Sequence, residues 1–197
     1  KPLKAWQCLD RSVVFAELKR HDIVKQIDIP CGQCVGCRLE RSRQWAIRCM
    51  HEASLYKNNC FVTLTYADEH LPADYSLHYD DFQKFMKRLR KRFKGIEPAA
   101  YAESQDKRPI RFYMAGEYGE NFGRPHFHAC IFNFDFNDKT LWQKTSSGSK
   151  IYRSEALEEL WPFGYSSIGD VNFQSAAYVA RYIMKKVTGG MADQYYQ

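Results

Sequence analysis

The sequence predicts an α+β fold: a central antiparallel sheet with flanking helices, and a small Cys-rich region at the N-terminus. Three observations lead there. Strand-like and helical segments follow one another in the order strand, helix, strand, strand, helix, strand, helix, which suits an antiparallel sheet. Two of the strand candidates are joined by a short turn-rich segment and read as a hairpin. The chain has 197 residues, 45% hydrophobic and 15% aromatic, which is enough for one full domain and its core and argues against disorder.

Up to about residue 37 no clear period is visible, and this part is expected to be irregular. Residues 38–56 read as a basic helix, with Leu39, Ser42, Ala46, Cys49 and Ala53 near one stripe. Cys60 to Tyr66 is β-branched and aromatic, hence a strand. Asp80 or Asp81 is expected to cap an amphipathic helix that runs to about Phe93. Residues 95–109 hold two prolines and are read as a loop. Ile110 to Tyr118 and Pro125 to Phe134 form the hairpin, and the polar residues 135–150 are expected to be a mobile connection. A short helix from Ser154 to Leu160, a strand from Tyr165 to Val171 and a helix from Ser175 to Val187 complete the order. The expected division is 1–57, the Cys-rich region with its basic helix, and 58–197, the main domain.

No apolar run approaches the roughly 18 residues of a membrane span, and the first residues lack the pattern of a secretory leader. The chain is therefore expected to be soluble and intracellular, with no membrane partner. Lysine plus arginine (29) exceeds aspartate plus glutamate (23) by six, which favours a polyanionic partner. Between Lys84 and Lys94, seven residues of eleven are basic and none is acidic, while Phe82, Phe85, Met86, Leu89 and Phe93 fall on one face. Such a helix either shows a solvated basic face or contacts phosphates.

Seven cysteines do not resemble a disulfide framework. Cys31, Cys34 and Cys37 form a C-x2-C-x2-C run with glycines between, a spacing that suits a structural zinc site in a reducing compartment. Cys49 lies about 18 Å along a continuous helix from Cys37, so Cys8 is the expected fourth ligand. The competing reading is a set of reduced cysteines packed as small hydrophobes, and for Cys60 and Cys130 that reading is preferred.

His126 and His128 are two apart on a predicted strand, so both imidazoles project from one face while Phe127 points to the other. Across the hairpin Glu117 is placed to join them, with Glu120 in the turn as a competing carboxylate. Two imidazoles and one carboxylate leave open positions on Mg²⁺ or Mn²⁺ for phosphate oxygens. Tyr178 and Tyr182 are four apart on a predicted helix and share a face. Each is followed three residues later by a cation, Arg181 and Lys185. The alternative to a catalytic pair is two rings packed against the sheet. A free phenol titrates at about pH 10, so a nucleophilic role needs nearby positive charge.

With these residues in view, the strand Phe61-Val62-Thr63-Leu64-Thr65, the pair His126 and His128, and Tyr178 with Tyr182 before Lys185-Lys186 resemble the three ordered motifs of the HUH endonucleases. The twin tyrosines, and Pro30 to Cys37 followed by Arg38 to Trp45, are similar to the replication initiators of small single-stranded-DNA phages, the microviruses. The likeness spans roughly residues 30–187. It implies a ferredoxin/RRM-like core and rolling-circle replication, with nicking of single-stranded DNA at a replication origin through a covalent 5′-phosphotyrosine intermediate.

Under that resemblance, His126, His128 and Glu117 hold the divalent ion, Tyr178 and Tyr182 attack in turn, and Lys185 assists Tyr182, the favoured first nucleophile. Arg38, Arg41, Arg43, Lys84, Lys87, Arg88, Arg90, Lys91, Arg181 and Lys186 are the expected DNA contacts. The site of action is the cytoplasm of the infected bacterial host cell, with host helicase and replication proteins as further partners. No nucleotide-binding P-loop is visible, so no fused helicase is expected. Competing readings are a noncatalytic zinc-bearing module that binds single-stranded nucleic acid, an RNA-directed metal phosphodiesterase, and an HUH relaxase or transposase acting on another DNA.

Overall fold

The computed structural model describes residues 3–15, 22–93, 109–119 and 123–183. The chain divides into two compact units, Lys1–Arg41 and Ser42–Gln197. The division falls inside a helix, whereas the boundary drawn from the sequence stands at residue 57.

In the first unit, β1 (Leu3–Cys8), β2 (Val13–Val14) and β3 (Ile23–Ile29) form an antiparallel sheet in the order β2-β1-β3. The region expected to be irregular is therefore a small sheet. β1 buries only Ala5 and Cys8, β2 is two residues long, and β3 alternates only over its short second half, with Ile27 and Ile29 half-buried between exposed Gln26 and Asp28, so a period-based reading finds little to follow.

Helix α1 (Val35–Ser54) begins three residues before its expected start. Its buried positions Ser42, Ala46, Cys49 and Ala53 are four of the five predicted for the stripe, whereas Leu39, one turn from the helix start, is exposed. In the second unit follow β4 (Asn59–Tyr66), α2 (Tyr79–Arg92), β5 (Arg111–Tyr118), β6 (Pro125–Phe132), β7 (Thr140–Lys144), β8 (Lys150–Arg153), α3 (Glu155–Leu160), β9 (Gly164–Gly169) and α4 (Phe173–Ile183). The fold is α+β, and the strands of this unit pair antiparallel in the order β5-β6-β4-β9-β8-β7.

Strand alternation splits the sheet into two chemically different faces. On β4 the even residues Cys60, Val62, Leu64 and Tyr66 are fully or almost fully buried, while the odd ones are half-buried. The even face packs on α2 through Phe82, Phe85, Met86 and Leu89. Each such ring or Leu contributes about 1.5–3 kcal/mol by leaving water. Phe127, Ala129 and Ile131 of β6 join the same core, as the alternation around the two histidines requires. On the opposite face α1 and α4 cover β5 and β6, with Ala46, Cys49, Ala176 and Val179 packed against Ala115, Cys130 and Phe132. The Ser42 hydroxyl donates to the Ala177 carbonyl at 3.1 Å, which joins the two helices. Cys60 and Cys130 are buried free thiols, in line with the packing reading.

Two local expectations change. The residue before α2 is His78, with no side-chain cap bond, and Asp80 and Asp81 lie in the first turn. Asp81 is committed elsewhere: its Oδ2 accepts the Tyr66 hydroxyl at 2.9 Å and ties the helix to β4. Residues 135–150, expected to be a mobile connection, contain β7 and the start of β8. All five residues of β7 are exposed, so no apolar alternation marks it. Helix α3 has the Ser154 cap, whose Oγ accepts from Leu157 N at 3.1 Å. The proposed loop over 95–109 lies almost wholly outside the described residues, as do Val187 and the end of the last predicted helix.

Gly164 turns the chain from Phe163 into β9 with φ +151°; a Cβ there would stand 2.2 Å from Ala67 N and 2.5 Å from Thr65 O. Only glycine allows this close approach of two backbones.

Candidate metal and tyrosine site

The hairpin register sets Glu117 opposite His126 and Ala115 opposite His128. Because side chains alternate, Glu117, His126 and His128 project from the face that α4 covers. Their ligand atoms lie within 4.8 Å of one another. Glu117 and His128 are only 8% and 7% exposed.

The contacts hold both rings from behind. His126 Nδ1 donates to the Arg124 carbonyl at 2.9 Å, and His126 Nε2 faces Glu117 Oε1 at 2.6 Å. In a neutral ring this Nε2 carries a lone pair aimed at a carboxylate, so a cation, either a proton or a metal, is needed between them. His128 Nδ1 bonds the Thr63 hydroxyl at 3.0 Å, and its Nε2 stands 3.5 Å from Glu117 Oε1, too far for a good hydrogen bond. Among the described residues His128 Nε2 and Glu117 Oε2 are buried without a hydrogen-bond partner. Burial opposes ionisation of Glu117, yet the histidine contacts and the Tyr178 hydroxyl outweigh it and hold the carboxyl at about 2. A permanent carboxylate, two imidazole nitrogens anchored from behind and two orphaned polar atoms are a donor set that fits a divalent cation.

Helix α4 lays Tyr178 over this group. Its hydroxyl donates to Glu117 Oε1 at 2.9 Å, and its ring meets His128 edge-on at 4.9 Å. Burial, then the bonds to Tyr182 and Glu117, push the Tyr178 phenol above its ordinary range. The Tyr182 ring lies 4.8 Å from that of Tyr178, as the four-residue spacing requires. Arg181 is exposed on the same helix. Lys185, Lys186 and Glu120 lie outside the described residues.

The expected phosphate contacts separate by face. Helix α2 packs on the face opposite the triad, so Lys84, Lys87, Arg88, Arg90 and Lys91 stand across the sheet from it. Two of them are structurally engaged: the Arg88 guanidinium donates to the Leu160 carbonyl and that of Arg90 to the Ile110 carbonyl, each with a bond of 2.8 Å. Lys84 pairs with Asp81 at 3.6 Å, and Lys87 and Lys91 are exposed. On α1, Arg41 and Arg43 are exposed and Arg38 is half-buried.

Cys31, Cys34 and Cys37 form a second convergence, with their sulfurs within 4.8 Å of one another. Cys31 Sγ accepts from Cys34 N at 3.3 Å and lies 3.9 Å from Cys37 Sγ. Backbone bonds from Cys34 and Gln33 hold the Cys31 thiol down at about 6. Cys8, buried at the end of β1, is not in this group, and Cys49 belongs to the core of the second unit.

Sequence reasoning missed Thr63, the residue that orients His128. Its signal was present, since in a β4–β6 pair Thr63 falls opposite His128 and on the same face.

An antiparallel sheet that presents Glu-His-His on one face beneath a helix bearing two tyrosines unites the motifs on which the resemblance to the HUH proteins rests. The family model for the replication-associated protein ORF2/G2P matches residues 59–187, from β4 past α4. The chain is 37% identical over 191 residues to replication-associated protein VP4 of Bdellovibrio phage phiMH2K, covering 96% of this chain and 58% of that protein. To replication-associated protein ORF2 of Spiroplasma virus 4 it is 34% identical over 180 residues, 87% of this chain and 53% of the relative. To replication-associated protein ORF4 of Chlamydia phage 1 it is 33% identical over 180 residues, 88% of this chain and 43% of the relative. The chain belongs to the replication-associated protein ORF2/G2P family. It spans about half the length of the curated relatives it matches. No solved structure matches it. Among the described residues no helix is long and apolar enough to cross a membrane.

Proposed function

We propose that this chain is the nicking and joining part of a phage replication initiator, acting on single-stranded DNA at the origin in rolling-circle replication. The observation that carries the reading is the Tyr178 hydroxyl seated on Glu117 within the convergent Glu117, His126 and His128 group. A divalent ion, Mg²⁺ or Mn²⁺, bound by these three side chains would supply positive charge to the nonbridging oxygens of the scissile phosphate.

The residues of the chain perform the rest. Arg124 O and Thr63 Oγ1 fix the two imidazoles, and the T-shaped contact with His128 sets the Tyr178 ring. Tyr178 Oη forms a bond to phosphorus, its proton passes to water, and the P–O3′ bond breaks. The leaving oxygen takes a proton from water and becomes a 3′ hydroxyl, and the 5′ phosphate stays on the tyrosine. The phosphodiester energy is kept in that link, so reversal joins ends. Tyr182, one ring away, serves a second cleavage while the first end is held. Tyr178 replaces Tyr182 as the favoured first nucleophile, because its oxygen lies on the triad. The exposed Arg41, Arg43 and Arg181 are the candidate phosphate contacts, and Lys87 and Lys91 serve DNA that wraps to the far face. Host helicase and replication proteins, in the cytoplasm of the infected cell, are the proposed further partners. A structural zinc on Cys31, Cys34 and Cys37 is part of the same reading, with Cys8 left as the candidate fourth ligand.

The test is incubation with Mn²⁺ and end-labelled single-stranded fragments of the phage genome, followed by denaturing electrophoresis. A protein–DNA adduct that survives denaturation and vanishes in the Tyr178→Phe/Tyr182→Phe double variant is expected. Cleavage without any adduct, or binding without cleavage over the whole genome, refutes the mechanism.

A further inference from the structure

The face that carries the triad continues onto β4 and β9. Paired positions run in one rung from Glu117 to His126, from His126 to Thr65 and from Thr65 to Tyr165. The next rung runs from His128 to Thr63 and Ser167. At about 4.8 Å per strand, Tyr165 stands two strands, about 10 Å, from His126. Whereas α1 and α4 cover β5 and β6 on this face, the β4–β9 part opens into a groove of about 310 Å³ lined by Thr63, Thr65, Trp142, Arg153, Tyr165 and Ser167.

Two large rings stand in water here: Tyr165 is 65% exposed and Trp142 57%. Neither belongs to a core cluster, so packing does not account for them. Arg153 lies over the Trp142 ring at 5.5 Å and is steadied by a bond from its Nε to Glu158 at 2.8 Å. The hairpin of β7 and β8 thus holds an aromatic wall in place at the edge of the groove. Because Arg153 is paired with Glu158, the groove has rings and hydroxyls but little net charge.

We propose that this groove is a base-stacking subsite for single-stranded DNA, in which Tyr165 and Trp142 hold the nucleotides adjoining the phosphate at Glu117, His126 and His128. The proposal rests on the reading of that triad as the place of strand cleavage. Unpaired bases offer π-faces that stack on exposed rings regardless of sequence, and Thr65 and Ser167 offer hydroxyls to sugar and base edges. The substrate implied is an unpaired strand, since a duplex keeps its base faces stacked on one another.

Binding of a labelled thymidine homopolymer of about 12 nucleotides, a length within the usual site size, is measured by fluorescence anisotropy with a chelator present so that no cleavage intervenes. Tyr165→Ala and Trp142→Ala are each expected to weaken binding about 5- to 150-fold, the scale of one lost base stack. Tyr165→Phe keeps wild-type affinity, and the salt dependence stays unchanged because no phosphate contact is removed. Both rings are exposed, so unfolding midpoints stay at the wild-type value. Affinity within about twofold of wild type in both alanine variants overturns the proposal, stacking being worth more than that. An equal loss on an abasic strand of the same length also overturns it, since the rings would then contact backbone. The two readings fail separately. Ring-dependent binding without any covalent adduct in Mn²⁺ removes the cleavage reading and leaves the stacking surface; an adduct formed equally well by both alanine variants removes the stacking surface alone.

Discussion

Replacing Tyr178 by phenylalanine removes one oxygen and leaves the ring packed 4.9 Å from His128 and 4.8 Å from Tyr182. The lost bonds are the one to Glu117 Oε1, a charge-assisted contact of 2.9 Å, and the one to Tyr182. Such bonds contribute about 1.5–3 kcal/mol, but Glu117 Oε1 keeps its 2.6 Å partner His126, so a loss of about 1 kcal/mol is expected. For a domain of this size that is about 2–4 °C in Tm, readable by calorimetry. The chemical effect is far larger. With its nucleophile gone, formation of the first adduct falls by at least about 10³-fold, a scale typical of losing a positioned nucleophile. Tyr182→Phe, whose oxygen is not the one bonded to Glu117, keeps the first cleavage and loses the second strand transfer. Single-turnover adduct assays on both variants decide the order. A Tyr178→Phe variant that nicks at the wild-type rate, beside an inactive Tyr182→Phe, would refute the assignment drawn from the hydroxyl position.

Three further outcomes follow from other parts of the structure. Thr63→Val removes the oxygen that anchors His128 Nδ1 and is expected to weaken Mn²⁺ binding about 10- to 100-fold in calorimetric titration; unchanged affinity would dissociate Thr63 from the metal group. Gly164→Ala forces a Cβ against Ala67 N and Thr65 O and opens the bond from Ala67 N to the Phe163 carbonyl, at a cost of about 2–4 kcal/mol in urea unfolding. A loss below about 1 kcal/mol would mean that the β4–β9 junction yields easily. Cys31→Ser is expected to abolish tightly bound zinc, measured by elemental analysis, whereas Cys49→Ala keeps it; zinc retained in Cys31→Ser, or absent from the parent protein, removes the cysteine site.

The parts of the fold that the sequence displays are those in which burial is one-sided. β4 alternates residue by residue between core and half-buried positions, and α2 carries its apolar stripe on one face and cations on the other, so both were legible. The β5–β6 hairpin was legible because a turn-rich segment separates two apolar runs. The N-terminal sheet and β7 were not, since their strands bury few side chains and are held by backbone pairing, which leaves no mark on residue type. The α2 cap was misplaced for a related reason: an aspartate in the first turn can serve the helix or a distant tyrosine, and Asp81 bonds Tyr66.

The same division holds for the site. Sequence alone set the two histidines on one face of a strand, aligned the tyrosines on one face of a helix and offered Glu117 as their neighbour, because strand and helix periods are local properties of the backbone. It favoured Tyr182 as the first nucleophile, through the cation at Lys185. Tertiary packing decided that Tyr178 meets Glu117, that Thr63 orients His128, and that the cations of α2 lie across the sheet from the triad. It also joined Tyr165, Trp142 and Arg153 into a groove beside His126. Those relations depend on strand order and on which face each helix covers, and both are determined by contacts between residues far apart in the chain.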